Sequence, residues 1–300
     1  MEINQPRNVF LVIIWSYGLF VLMHIYQYIG SLIAAKTSGK SFDAIISGKF
    51  GSDKIDLIMS ASAVTIGVLI AFLAARFLWG RNFEWMRLQF NGKQLLFGLV
   101  IGLILPFVIL LILKLFGFAK ISWEITNLQG IGLTILGYAG FAIFSGIAEE
   151  IVFRGMAARE FALQYGWITA AIIGGVFFGI AHLLTKIKNM TVVEVIWVLA
   201  ACIFVSLTFV SMYVRSQSLW LPIGFHIAWN FCLKGIMGIR LSGNEASVGL
   251  FNVELSGGQI FTGGSFGIEA SVVSILIYII TAIAFIKLPW NGIINLLSSK

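Results

Sequence analysis

Long apolar runs separated by short polar loops set the pattern of this chain. The runs cover about residues 9–35, 56–79, 94–117, 131–147 (continuing as an amphipathic helix to Gln164), 167–186, 192–214, 221–238 and 268–288. Each is close to or above the roughly 20 residues that an α-helix needs to cross a bilayer. None alternates in the manner of a membrane β-barrel strand. The pattern predicts an all-α polytopic membrane protein with about eight transmembrane helices. Pro106 falls inside the third run and predicts a kink. Tyr165-Gly166 ends the fourth helix, so the fourth and fifth helices form a hairpin. Gly175-x-x-x-Gly179 in the fifth gives a neighbouring helix room to come close. A Gly/Ser-rich loop follows the seventh helix, from Leu241 to Gly267, and Phe251 to Leu255 with the next Ser-Gly-Gly predicts a small hairpin inside it.

Composition agrees with lipid as the solvent. Hydrophobic residues are 59% of the chain and charged residues 11%, against roughly 25% charged in a soluble domain. The net charge of +7 suits an anionic membrane surface. The basic residues are scattered over short loops and form no patch, so nucleic acid is not expected as a partner. Assigning the 20 Lys and Arg to the nearer side of the eight helices divides them evenly, so charge does not set the orientation. Cys202 and Cys232 lie inside apolar runs and read as small core residues.

Against this background one stretch is costly. Ala148-Glu149-Glu150-Ile151-Val152-Phe153-Arg154-Gly155 follows an apolar run, Ile131 to Ile147, that holds no charge. Charges at the end of a membrane segment need a partner, a wet cavity or a job. Glu150 and Arg154 are four apart and share a helix face, so they can pair. Glu149 is turned about 100° away and is left to face something else. Two further groups fall on later helices: Phe178-x-x-x-His182, and His226-x-x-x-Asn230 behind Pro222-x-Gly224. His182 is 16 residues after Gly166 and Glu149 is 17 before it, so the two are level across the hairpin. Whether His226 reaches that level depends on how the turn near Ser218 is offset from Gly166.

A carboxylate, two histidines and an amide in a partly dry pocket suit hydrolysis by activated water. Glu149 would take the proton and later return it to the leaving amine. Glu149, His182 and His226 could instead ligate Zn²⁺ or another divalent metal, since His₂Glu with an open position is a known catalytic zinc set. No HExxH helix and no GxSxG elbow occurs. A proton-coupled transporter is a competing class, but no inverted repeat supports it.

Glu149-Glu150-x-x-x-Arg154, Phe178-x-x-x-His182 and His226-x-x-x-Asn230, in this order, resemble the CAAX prenyl-endopeptidase and bacteriocin-processing family of intramembrane proteases, also called the Abi family. The resemblance covers roughly Ile131 to Met237. It implies a helical bundle around a polar cavity open to the cytosol, with cytoplasmic termini, in a bacterial or archaeal cell membrane. It implies hydrolysis of a peptide bond in a membrane-associated protein or peptide, prenylated at a CAAX end in some members. Glu149 and His182 would activate water, His226 and Asn230 would hold the oxyanion, and Glu150 and Arg154 would support them. On this reading 131–240 is a catalytic helix core between N-terminal helices and loops (1–130) and a loop with a last helix and tail (241–300). A non-catalytic immunity or chaperone-type protein that binds a peptide in the same cavity is the alternative.

Overall fold

The computed structural model describes residues 8–38, 80–122, 128–183, 190–243 and 249–290, with isolated positions between 69 and 77. The expected second helix, 56–79, falls almost wholly outside the described residues.

What is described is mostly helix. α1 spans Val9–Ser38 and α2 spans Gly92–Leu115. Asn91 starts α2 by accepting the Gln94 N–H on its side chain at 3.0 Å, and Pro106 is carried inside it. α3 spans Leu128–Glu150 and continues as a π-helical stretch, Ile151–Ala158, into α4, Arg159–Leu183. The expected reversal occurs at Gly166, whose φ of 77° and ψ of 163° are not helical. That left-handed φ is the reason the turn uses glycine. The reversal brings Phe153 against Phe178, ring centres 5.1 Å apart.

α5 spans Val192–Ser216 and opens with a capping box between Thr191 and Glu194. α6 spans Trp220–Phe231 and runs into a second π-helical stretch, Cys232–Ile236. α7 is a single turn, Gln259–Thr262, and α8 spans Val272–Lys287 after a 3₁₀ turn, Ile268–Ala270. Among the described residues Gly92–Leu115, Ile135–Leu183 and Val192–Ser216 are long and apolar enough to cross a membrane, and the second of these contains the Gly166 reversal. Val9–Leu22 and Val272–Lys287 are shorter apolar helices. The described residues therefore support a helical membrane architecture without reproducing the count of eight spans.

The predicted hairpin within 251–258 does not form. Instead β2, Asn252–Leu255, pairs antiparallel with β1, Ala119–Ser122, just past α2. A distant strand supplied the ladder partner that local turn residues suggested would be near. Both cysteines are buried and free, as expected of core residues.

Glycine governs how closely the helices around α6 approach. A Cβ on Gly98 would stand 2.2 Å from the Leu221 carbonyl oxygen, and one on Gly102 2.3 Å from that of Phe225. From the other side, a Cβ on Gly224 would stand 2.2 Å from the Leu95 carbonyl oxygen. α2 and α6 thus touch backbone to backbone. Gly146 of α3 meets Ile227 in the same way, at 2.5 Å from its Cγ1. α6 is held between α2 and α3, which presses His226 toward the end of α3. The Gly175-x-x-x-Gly179 stripe packs where expected: a Cβ on Gly175 would be 2.5 Å from the Ile203 Cα of α5.

Candidate active site

Glu150 is the centre of the polar cluster. Its side chain is fully buried, and one oxygen, Oε1, accepts both from Arg154 Nη1 at 2.9 Å and from His226 Nδ1 at 2.8 Å. The i,i+4 pair read from sequence is present. The histidine on the same oxygen was not foreseen. The guanidinium of Arg154 lies between the rings of Phe178 and Phe209, at 5.0 and 4.4 Å. Phe209 also backs the His226 ring at 5.2 Å. Aromatic faces on two sides and a carboxylate at Nη1 hold the buried charge, while its Nη2 is buried without a hydrogen-bond partner.

Glu149 is treated differently. It is 7% exposed, and its Oε2 is buried with no hydrogen-bond partner among the described residues. The nearest basic atom given to it is His226 Nε2, at 4.0 Å. Glu150 is anchored through Oε1 and Glu149 faces elsewhere, the difference in direction expected from their spacing. The proton on His226 Nδ1 points at a carboxylate, so in the neutral ring the lone pair of Nε2 faces Glu149.

The two sets meet because of an offset between turns. Leu219, at the turn between α5 and α6, packs against Gly155, with 3.2 Å from Leu219 Cδ2 to a Cβ built there. It does not pack against Gly166, eleven residues further on. Glu149 lies six residues before Gly155 and His226 seven after Leu219, so both are under two and a half turns from a shared contact.

Asn230 finds its partner on α3. Its Nδ2 donates to Ser145 Oγ at 2.8 Å, and that hydroxyl donates to the Ala142 carbonyl at 3.2 Å. Ser145 lies one turn before Glu149, a spacing that could have found it. His182, on the facing leg of the hairpin, donates from Nδ1 to the Phe178 carbonyl at 2.9 Å and sits 5.8 Å from Phe20 and 6.5 Å from Phe266, ring to ring. Both site histidines thus give their Nδ1 proton to an oxygen, which leaves Nε2 as the basic nitrogen of each neutral ring.

A third carboxylate was missed. Glu269, in the 3₁₀ turn ahead of α8 and outside the spanning helices, accepts from the backbone N–H and the hydroxyl of Ser242, both at 2.9 Å. Burial pushes its pKa up to about 7; the Ser242 bonds and His226 pull it back and Glu149 adds to it. It is therefore near enough to feel both site residues. The signal that exposed Glu149, an acid at the edge of an apolar run, applies equally to Glu269.

The π-helical stretches Ile151–Ala158 and Cys232–Ile236 begin beside these groups, the first directly after Glu150 and the second two residues after Asn230. Such widened turns are uncommon and concentrate at functional sites. Among the described residues no three His, Cys, Asp or Glu side chains are grouped closely enough to hold a metal ion.

Residues 131–232 match the Rce1-like family of type II CAAX prenyl endopeptidases. The matched segment carries all three motifs, so the resemblance read from them holds over it. With the apolar helices, the match supports an integral membrane protein whose segment 131–232 is similar to CAAX-type endopeptidases. No curated protein and no solved structure matches the chain.

Proposed function

We propose that this chain is an intramembrane endopeptidase that cleaves a peptide bond in a membrane-associated, CAAX-type protein or peptide by activating water with Glu149. The observation that carries the reading is the unequal treatment of two adjacent buried acids. Glu150 is held through Oε1 by both Arg154 and His226, while Glu149 accepts no hydrogen bond among the described residues and its buried Oε2 lies 4.0 Å from His226 Nε2; the Oε2 of Glu150 is likewise unpartnered, but its carboxylate is already anchored. A buried carboxylate oxygen without a donor is costly. A water placed between Glu149 and a histidine Nε2 would remove that cost and stand ready for deprotonation.

In the reaction Glu149 accepts a proton from that water as its oxygen attacks the scissile carbonyl. The basic Nε2 of His182 orients the water from the facing leg of the hairpin. Ser145 fixes one N–H of the Asn230 amide and leaves the other to donate to the oxyanion. Glu149 then returns its proton to the leaving amine. Glu150 and Arg154 hold His226 in place throughout. Elemental analysis of active protein checks whether Glu149, His182 and His226 hold a divalent metal.

The deciding experiment compares wild type with Glu149→Gln in proteoliposomes containing a prenylated CAAX peptide. Cleavage should fall by about 10²–10⁴-fold, the usual worth of a general base, with an unchanged unfolding temperature. Full cleavage by Glu149→Gln would sink the proposal. Binding of the peptide by wild type with no cleavage would favour the non-catalytic peptide-binding alternative.

A further inference from the structure

The far end of the hairpin holds a cluster that peptide hydrolysis does not use. Arg159 Nη1 donates to the Tyr213 hydroxyl at 3.2 Å, and the Arg87 guanidinium carbon lies 5.2 Å from the centre of the same ring. The Tyr213 hydroxyl donates in turn to the Met86 carbonyl at 3.2 Å. Trp85 stands under Arg159 at 4.8 Å and Trp167 beside Arg87 at 6.0 Å. Two like charges therefore share one aromatic platform.

Among the described residues neither arginine has a carboxylate partner. Arg81, only six positions earlier than Arg87, is paired with Glu160 at 2.8 Å. Arg87 Nη1 is buried without a hydrogen-bond partner. Burial pushes the Arg87 guanidinium below its ordinary pKa; Tyr213 opposes this and the charge of Arg159 adds to it. The backbone of Arg87 is also unusual, with a left-handed φ of 56°. Such a φ is unfavourable for a residue that carries a Cβ. It is held by the Arg87 N–H on the Glu84 carbonyl and by the Arg87 carbonyl on the Leu219 N–H, both at 2.9 Å. The fold fixes a second cation beside the first in a half-buried setting, where repulsion is poorly screened.

The place suggests what neutralises them. α2 starts at Gly92 and α5 ends at Ser216, so the cluster lies where two candidate spans leave the apolar layer. Tryptophans and tyrosines of this kind mark the headgroup level. Guanidinium forks match the oxygens of a phosphate better than any other common anion there.

We propose that Arg87 and Arg159, on the Tyr213 platform, form a binding site for one phosphate group, that of an anionic phospholipid headgroup or of free phosphate. The site is independent of the protease reading. The test uses the full chain in maltoside micelles, which contain no phosphate, with either phosphatidylglycerol or inorganic phosphate added. Native mass spectrometry counts retained lipid, and thermal unfolding reports stabilisation. Wild type should retain one phosphatidylglycerol more than the Arg87→Gln/Arg159→Gln double variant, and each single change should weaken retention by about tenfold, the worth of a hydrogen bond to a charged group. Stabilisation of wild type by inorganic phosphate, absent in the double variant, would identify a soluble source for the same site. If the double variant fails to fold, Arg87→Lys/Arg159→Lys replaces it: charge is kept, the forks are lost, and retention should still fall. Equal lipid retention and equal phosphate response in wild type and variant would overturn the proposal, as would no response in wild type.

Discussion

Two buried ion pairs in this protein have nearly the same dimensions and different surroundings. Glu150–Arg154 is 2.9 Å long with both side chains at or below 1% exposure; Glu160–Arg81 is 2.8 Å long with exposures of 0% and 6%. The first is local, four residues apart on one helix turn. The second joins segments 79 residues apart. The first shares its carboxylate oxygen with a histidine and has a second acid alongside. The second is backed by Trp85, 4.6 Å from Arg81. Pair geometry alone therefore does not mark a functional site. What marks it is a partner that can change its protonation and a neighbour left unpaired.

Breaking each pair should separate these roles. Glu150→Gln leaves Arg154 with a fully buried, uncompensated charge and removes the acceptor of His226. A loss of about 3–5 kcal/mol is expected, as for other broken buried pairs. Cleavage per folded molecule should fall by at least about 10²-fold, because a misoriented histidine no longer faces Glu149. Unfolding in denaturant and initial cleavage rates read the two effects separately. Glu160→Gln should lose a similar stability, about 3–5 kcal/mol, while cleavage per folded molecule stays within about twofold of wild type, the change expected where no reacting group has moved. An equal loss of cleavage from both variants would erase the distinction.

Glu269 tests the comparison from a third side, since it is a buried acid with no salt-bridge partner among the described residues. Its raised pKa means that the folded state prefers the protonated form. That preference contributes fully below the ordinary value of 4.5 and is lost as pH rises through about 7. The contribution amounts to about 3 kcal/mol. The unfolding temperature of wild type should therefore drop between about pH 5 and about pH 8. Glu269→Gln, neutral throughout, should show less of that drop. Parallel pH profiles for the two proteins would count against the assignment.

Much of this was legible in the chain, and the failures share a cause. The apolar runs located the described helices, Gly166 located the reversal, and i,i+4 spacing found Glu150–Arg154. All of these are local signals. The Arg154 sandwich by Phe178 and Phe209, the Gly98, Gly102 and Gly224 contact of α2 with α6, and the strand pair 119–122 with 252–255 depend on residues 24 to 136 positions apart. No periodicity within one segment records which other segment it will face. The partner of Asn230 was missed for the same reason. An amide in an apolar helix must be satisfied, but the rule does not say by whom.

That partner gives the smallest effect and the cleanest reading. Ser145→Ala removes one hydroxyl and leaves Glu149, Glu150, Arg154 and His226 untouched. The Asn230 amide loses the bond at 2.8 Å and can rotate about its last torsion. Stability should fall by about 1 kcal/mol, the net worth of a neutral hydrogen bond. If Asn230 donates its other N–H to the oxyanion, cleavage should fall by about tenfold in kcat with KM little changed, because the lost alignment matters only in the transition state. If Asn230 merely ties α6 to α3, stability falls and kcat does not. Ser145→Thr, which keeps the hydroxyl, should restore the rate in the first case and make no kinetic difference in the second.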